Sequence, residues 1–476
     1  MTTSLVWFRG KDLRLADHAP LHEALSAGPA LTVFVVDPFF FNAQRAGELP
    51  HRMQFMLASL TALRRDIAAR GGALICVHGR STDIIPQLAQ AWSVDRVVAY
   101  RWTEPFGRKR DARIAEQLTV PFQLFEGETL HPPGTIRSKT GTPYAVFTPF
   151  SRAFRQQATI GRPLPTPTSL LKPPPEIVAR DDGVPTLSDL GLQANPNLID
   201  GGEAAGTTRL AHFIRSGIYD YHQNRDRLDQ TGTSRLSADL KFGTVSVRSV
   251  WHRIQNRVED SPGKNAFLNQ LIWREFCHGT LWDRPTVLEQ PVQQKYVGFP
   301  YEDNADHWQR WVDGRTGYPV VDASARQLLG EGFVHNRARM ISASFLTKHC
   351  LIDYRRGEAH YLKYLVDGDW AQNNAGWQWA AGCGCDAQPY FRVFNPMSQG
   401  KKFDPLGAYV RRWVPELRHM PAKYIHAPWE APNQVLVDAK VELGQTYPNP
   451  MVDHKEARLR YLDLAKAFFA SSKPAA

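Results

Sequence analysis

The sequence predicts an α/β domain built on a parallel sheet at the N-terminal end and an all-α domain at the C-terminal end, joined by a long proline-rich connector. Three observations predict it. Over the first 130 residues, short apolar strand-like runs alternate with helical ones. From about residue 160 to 200 prolines crowd the chain, and after Gly206 the apolar periodicity is helical, with ten of the thirteen tryptophans in that part. A chain of 476 residues is also too long for one hydrophobic core. The expected parts are 1–130, 131–205 and 206–476.

Taken in order, the strands fall at 5–8, 31–36, 74–77, 96–100 and 122–125, each short and rich in Val, Leu, Ile and aromatics. Helices fall between them at 20–26, 52–70, 82–92 and 109–118. The second is the clearest, with Met53, Met56, Leu57, Leu60, Leu63 and Ile67 on one face and Gly71-Gly72 at its end. This alternation is that of a Rossmann-like sheet, which takes ligands at the carboxyl ends of its strands. No GxGxxG follows the first strand; Arg9-Gly10-Lys11-Asp12-Leu13-Arg14 stands there, against an ordinary NAD site. The connector carries Pro163, Pro165, Pro167, Pro173, Pro174, Pro175, Pro185 and Pro196 and reads as extended chain draped over a surface.

Hydrophobic residues make up 43% and charged residues 22%, ordinary for a globular protein, and no apolar run is long enough to span a bilayer. The start, MTTSLVWFRGKD, has no charged leader with an apolar stretch and cleavage site, so secretion is not expected. Five cysteines, mostly isolated, suit reduced thiols in the cytoplasm better than a disulfide framework. Cys383 and Cys385 lack further ligands at metal spacing, so no metal site is expected. A net charge of +10 points to a polyanionic partner, nucleic acid first, with a merely solubilising surface as the plain alternative.

The richest stretch runs from 366 to 403. It holds Asp367, Asp369, Asn373 and Asn374, three tryptophans (Trp370, Trp377, Trp379), interleaved glycines, and a basic tail with Arg392, Lys401 and Lys402. Small residues beside flat ones let a planar ligand approach closely. A tryptophan-rich core segment is the plain alternative, but the many amides and carboxylates would each need a partner there. Upstream, Thr233-Ser234-Arg235-Leu236-Ser237 packs hydroxyls, amides and a guanidinium as phosphates require, or else forms a helix cap. Shortly before it, Tyr219, Tyr221 and Arg225 add rings and a cation. Gln270, Trp273 and Arg274 share one helical face. His335, Asn336, Arg337, Arg339 and Met340 form a second basic segment. Rings paired with arginines fit stacking on bases and gripping of phosphates.

These residues, TSRLS at 233–237, WREF at 273–276, GYPVVDA at 317–323, HNRARM at 335–340, DGDWAQNNAGWQW at 367–379 and PYFRVFNP at 389–396, resemble the photolyase–cryptochrome flavoproteins. Within that family they are most similar to class I bacterial cyclobutane pyrimidine dimer photolyases, and LVWFRGKDLRLADH at 5–18 resembles the family's N-terminal domain. The resemblance implies an antenna-binding α/β domain and a helical domain that binds FAD and UV-damaged DNA, working as a monomer. It implies light-driven electron transfer from reduced FAD to a dimer flipped out of the duplex, and photolyases are themselves among the enzymes on which the base-flipping rule rests. The cofactor carries the hard chemistry and the protein orients it.

By the same resemblance, FAD contacts fall on Tyr221, Thr233, Ser234, Arg235, Leu236, Ser237, Arg274, Asp367, Gly368, Asp369 and Asn373. Asn373 faces flavin N5, and Arg339 pairs with Asp367 beside the ring. Trp273 and Trp379 cradle the dimer, with Gln270, Asn336 and Met340 in the pocket. DNA contacts fall on Gln270, Trp273, Arg274, Asn336, Arg337, Arg392 and Gln399. Gln270 stands where dimer photolyases usually carry glutamate, as in (6-4) photolyases, but Asn336 stands where those carry histidine, which favours dimer repair. Trp377 and Trp311 match the inner and outer members of the family's photoreduction chain and Tyr354 its middle, so slower photoreduction is expected. The segment 103–111 resembles pigment sites for 8-hydroxy-deazaflavin or FMN rather than methenyltetrahydrofolate, with Arg52 and Glu104 near the pigment, although Trp102 departs from the deazaflavin pattern. The competing readings are a blue-light photosensor, which usually carries an effector extension longer than the tail seen after Phe469, a (6-4) photolyase, and a non-photochemical nucleotide-binding enzyme.

Overall fold

The computed structural model describes residues 2–471, so the final residues of the tail, 472–476, lie outside the described residues. The chain divides into two compact units. One comprises Met1–His222, Ser234–Pro285 and Val366–Ala371, and the other Gln223–Thr233, Thr286–Leu365 and Gln372–Ala476.

The first unit is organised by five parallel strands: β1 (Ser4–Phe8), β2 (Ala30–Val36), β3 (Leu74–His78), β4 (Arg96–Tyr100) and β5 (Phe122–Phe125), in the order β3-β2-β1-β4-β5. Ser4 lies opposite both Ala30 and Arg96, which makes β1 central. Every residue of β1 is buried, as a strand with a neighbour on each side and helices on both faces must be. Alternation then sorts its side chains. Val6 and Phe8 join Phe34, Val36, Cys76 and Val98 in one core, while Leu5 and Trp7 join Val33, Val35, Ile75, Val77 and Val97 in another. The strand order reverses between β1 and β4, so the residues that follow those two strands line the crevice where such sheets receive ligands.

The helix Pro50–Ala68 begins with proline in its first turn, where the missing N–H costs nothing, and buries Met53, Leu57, Leu60, Leu63 and Ile67 as the periodicity predicts. The connector hydrogen-bonds the free edge of β3: Asp182 donates its N–H to the Cys76 carbonyl at 2.8 Å, and Cys76 donates to Asp181 Oδ1 at 2.9 Å. An edge strand is thereby closed to further pairing. The helices Glu203–Ser216, Val247–Arg257 and Pro262–Asp283 also belong to this unit. The longest, Pro262–Asp283, is capped by Ser261, whose hydroxyl accepts from Lys264 N–H at 3.2 Å.

The second unit is helical and packs around one core that includes Trp311, Tyr318, Phe345, Tyr361, Trp377 and Tyr409. Its helices Pro319–Glu331, Asn336–Lys348, Tyr354–Tyr364 and Pro396–Phe403 have legible ends. Gly332 closes the first at φ +59°, Asp353 caps the third, and Asn395 caps the fourth.

Candidate cofactor and nucleic-acid sites

In the first unit a buried ionic cluster forms where the loops after β1 and β4 meet the helix Pro262–Asp283 and the DGD segment. Lys11 Nζ pairs with the carboxylates of both Glu104 and Glu128. His278 places Nδ1 3.7 Å from Glu128 and Nε2 3.7 Å from Asp369, and Arg274 donates to the Glu128 carbonyl at 2.7 Å. Burial alone would lower the pKa of Lys11, but the charges of Glu104, Glu128 and Asp369 outweigh it and raise it above the ordinary lysine value. Burial likewise opposes ionisation of Glu128, yet Lys11 and His278 hold it down to about 2; against the same penalty His278 and Lys11 hold Asp369 well below the usual carboxylate range. His278 itself is lowered to about 4 by burial, with Arg274 adding to the shift. Lys11 is a cation common to both carboxylates, and it favours their ionised forms. Glu128, His278 and Asp369 bring ligand atoms within 4.8 Å of one another, a spacing a metal ion accepts. Here the ammonium of Lys11 already neutralises the group, and Arg274 and Lys241 add further positive charge beside it.

Several buried polar atoms of this cluster have no hydrogen-bond partner among the described residues: Arg274 Nε, Glu275 Oε1, Glu104 Oε2 and both ring nitrogens of His278. Donors and acceptors left open together are what a polar, multi-dentate ligand satisfies. Arg274 and Asp369, both assigned to FAD by resemblance, lie in this cluster. Arg52 donates to the Gly368 carbonyl at 3.2 Å, and Glu104 is clamped by Lys11, so the two residues read as antenna contacts are both buried in this network. In the TSRLS segment, Arg235 is held at φ +55°, a strained conformation for a non-glycine residue, costing about 1–3 kcal/mol. Tyr221 is buried with edge-on contacts to Phe213 and Phe267.

On the helix Pro262–Asp283, Trp273 lies flat on Phe147, with centroids 3.8 Å apart and planes 9° apart. Sequence reasoning missed Phe147, whose 126-residue separation from Trp273 leaves no local signal. Gln270, one turn earlier, donates its Nε2 to the Ala266 carbonyl at 3.3 Å. A second cationic group sits at the crevice between β1 and β4. The guanidinium of Arg9 lies 4.8 Å from the Trp7 ring and 5.3 Å from that of Trp102, while Arg110 lies 4.5 Å from Trp102. Both arginines share the carboxylate of Asp111, and Arg9 Nε, Arg9 Nη2 and Trp102 Nε1 are buried without partners among the described residues.

The second unit carries the other predicted residues. In the helix Trp370–Ala381, Asn373 Nδ2 donates to the Glu358 carbonyl at 3.1 Å, which fixes the amide and turns Oδ1 away from that bond. Asn374 Nδ2 donates to both oxygens of Glu358 and to Val287 O, and Gln378 Nε2 donates to Asn374 Oδ1 at 3.1 Å. This ladder of amides locks the helix. Trp377 meets Trp311 edge-on at 6.1 Å; Tyr354, although buried, makes no contact with another aromatic ring among the described residues. Arg339 donates to the Val334 carbonyl at 2.7 Å.

A pocket of about 710 Å³ opens in this unit, lined by Gln223, Asp226, Arg227, Arg337, Met340, Trp379, Arg392, Phe394, Gln399, Lys402 and Phe403. It unites Arg337, Met340, Trp379, Arg392 and Gln399 of the predicted set. Asn336 is exposed beside it, 3.5 Å from the Met340 sulfur. Four cations and three aromatic rings line it against one acid, Asp226, which pairs with Arg337 at 3.0 Å. Lys348, fully buried, donates to the Arg392 carbonyl at 2.9 Å and so fixes the loop that presents Arg392. The sequence pattern singles out Arg225 but not its neighbours Asp226 and Arg227, which line the pocket beside Arg337, about a hundred and ten positions away.

Residues 4–169 match the model of the DNA photolyase family, and residues 267–467 match the FAD binding domain of DNA photolyase. A deoxyribodipyrimidine photo-lyase of Agrobacterium fabrum is 39% identical over 469 residues, covering 96% of each chain. Among solved structures, a bacterial class III photolyase from Agrobacterium tumefaciens superposes with a TM-score of 0.91 at 38% identity over 98% of each chain. A Synechocystis cryptochrome superposes with a TM-score of 0.86 at 29% identity, over 98% of this chain and 99% of its own. With both family models matched and near-complete coverage of such relatives, the chain belongs to the photolyase–cryptochrome family of FAD-binding flavoproteins and is a photolyase.

Proposed function

We propose that this photolyase repairs cyclobutane pyrimidine dimers in DNA, using light absorbed by fully reduced FAD to drive one electron into a flipped-out dimer. The observation that carries the reading is the pocket of about 710 Å³, within the range of small-ligand sites, with Trp379 and Met340 in it and Arg337, Arg392, Lys402 and Gln399 around it. Flat apolar surface suits a pair of stacked pyrimidines, and the cations suit the flanking phosphates. FAD supplies the photochemistry when bound. For it, the chain offers Arg274, Asp369 and the open polar atoms beside them, the strained Thr233–Ser237 backbone, and the Asn373 amide. With its amino group committed to Glu358, Asn373 presents an acceptor oxygen suited to a protonated flavin N5.

The three segments then serve as antenna domain (1–130), connector (131–205) and helical FAD- and DNA-binding domain (206–476), in a cytoplasmic monomer. An antenna pigment, 8-hydroxy-deazaflavin or FMN in preference to methenyltetrahydrofolate, fits the crevice between β1 and β4. There Arg9 and Trp102 offer unpaired donors, Arg110 a cation against the Trp102 ring, and Glu104 an unpaired acceptor oxygen. The Synechocystis cryptochrome keeps a blue-light sensor as the second reading. One experiment separates them: the purified protein, chemically reduced, is illuminated with blue light on oligonucleotides carrying either a cyclobutane dimer or a (6-4) photoproduct, with dark controls. Restoration of the cyclobutane substrate alone is expected. Repair of the (6-4) substrate alone, or of neither by a protein that holds flavin, overturns the proposal.

A further inference from the structure

The chain itself already neutralises half of the positive charge that lines the pocket of about 710 Å³. Of its four cations, Arg392 and Lys402 make no ion pair with an acid among the described residues. Arg227 is gripped by Asp229 in a two-bond fork, Nε to Oδ1 at 2.8 Å and Nη2 to Oδ2 at 2.5 Å, and the Asp229 side chain is only 9% exposed. Arg337 is held differently. Its Nη2 lies 3.0 Å from Asp226 Oδ1, and its guanidinium rests 4.4 Å from the centre of the Phe403 ring. Asp226 is itself part of the lining, with 32% of its side chain exposed against 16% for Arg337. The backbone just after it is pinned: Arg227 donates its N–H to the Asn224 carbonyl at 3.0 Å, and Leu228 donates to the Phe403 carbonyl at 2.8 Å. The Asp226 carboxylate can therefore leave Arg337 chiefly by turning about its own side-chain bonds, and it does not go far.

We propose that Asp226 is an internal counterion that competes with the DNA backbone for Arg337, and that it speeds the release of repaired duplex. This rests on the reading of the pocket as the DNA site given above. A phosphate and a carboxylate are both anions that accept hydrogen bonds from a guanidinium, so each displaces the other at Arg337. Asp229 cannot act in this way, because it lies outside the lining and holds Arg227 by two bonds. The Asp226 pair is exposed enough to exchange, and a pair of that kind contributes a factor of at most about five to an equilibrium. Once displaced, the carboxylate stays close to the incoming phosphate, and the walls of a cleft strengthen the repulsion between them. Both effects weaken binding wherever a phosphate meets Arg337, and neither needs a lesion. The product of repair is an intact duplex with no base left in the pocket, held by charge alone. At that point the acid has its largest consequence.

The test is binding in the dark of the flavin-loaded protein to matched duplexes with and without one dimer, by fluorescence anisotropy over a range of salt. The variants are D226N, R337Q, the two combined, K402A, and D438N, which removes an exposed acid outside the lining. Asparagine keeps the shape of aspartate, and circular dichroism with flavin content confirms that each variant folds. D226N is expected to bind both duplexes about fivefold tighter at low salt, with dissociation of the intact duplex slowed by about the same factor. Its slope of log K against log salt steepens by about 0.9, because Arg337 then meets a phosphate without an internal rival. D438N leaves the slope unchanged, and D226N has no effect once R337Q is present. Unchanged or weaker binding in D226N, or equal tightening in the R337Q background, overturns the role given to Asp226. If the parent binds both duplexes equally and K402A changes nothing, the reading of the pocket as the DNA site falls as well.

Discussion

Lys11 is the residue whose contribution is largest relative to its visibility in the sequence. Its ammonium, buried, holds Glu104 and Glu128, drawn from the loops beyond β4 and β5. Removing one partner of a buried ion pair leaves an uncompensated charge, which costs about 3–5 kcal/mol. K11M is therefore expected to lower the unfolding free energy by that order, and adding E128Q to restore part of it, in a denaturant-melt double-mutant cycle. Additive losses would mean that the two residues do not act as a pair. Glu358 makes a second prediction. Burial raises its carboxyl to about 7 despite the Asn374 hydrogen bonds that favour the charged form. A group whose folded pKa lies above its unfolded value adds stability that is complete below the unfolded pKa and is lost as pH rises through the folded one. The window here runs from 4.5 to about 7. Wild type is expected to lose about 3 kcal/mol across it, relative to E358Q, which has no proton to release. Parallel stability curves for the two proteins over that window would remove Glu358 from this account.

At the scale of elements, the helix Trp370–Ala381 is locked on one side by amide hydrogen bonds and on another by a close approach. A Cβ on Gly357 would stand 2.2 Å from Trp377 Cη2, so only glycine lets the helix Tyr354–Tyr364 pass over that indole. G357A is expected to displace Trp377 and cost about 1–3 kcal/mol, as overpacking does, with a shift in tryptophan fluorescence. An unaltered spectrum and melting point would show that the neighbouring helix yields instead. Elements are the most legible level of the sequence. The strands announce themselves as Val- and Leu-rich runs, and the helix Pro50–Ala68 by its apolar face. Prolines at first turns and glycines at ends mark the boundaries. What sequence cannot show is which distant residues share a site. The TSRLS, HNRARM and DGDWAQN motifs are legible by resemblance, motif by motif. Lys11, Phe147 and Asp226 act through partners about ninety or more residues away, and no period or local spacing encodes such a meeting. The same limit governs subclass: motifs that resemble class I enzymes sit in a chain that superposes at 0.91 on a class III photolyase. Residues shared because they hold the same cofactor cannot tell those classes apart.

Over the whole molecule, a net charge of +10 favours any polyanion, so charge by itself raises affinity without distinguishing damaged from intact DNA. On the proposed reading, discrimination comes from the pocket, where Trp379 offers a flat surface to an extruded pair of bases and Lys402 and Arg392 offer cations to the flanking phosphates. The two kinds of residue are expected to separate in a salt titration. Removing one cation that neutralises a phosphate reduces the slope of log K against log salt by about 0.9 on duplex DNA. K402A should therefore weaken binding to damaged and undamaged duplexes alike and flatten both slopes by about one. W379A should leave both slopes unchanged and lose about 1–3 kcal/mol on the damaged duplex only, the worth of one stacked base. Fluorescence anisotropy at several salt concentrations, on matched oligonucleotides with and without one dimer, measures all four quantities. If K402A erased the preference for damage while W379A preserved it, the assignments of lesion contact and phosphate contact would have to be exchanged.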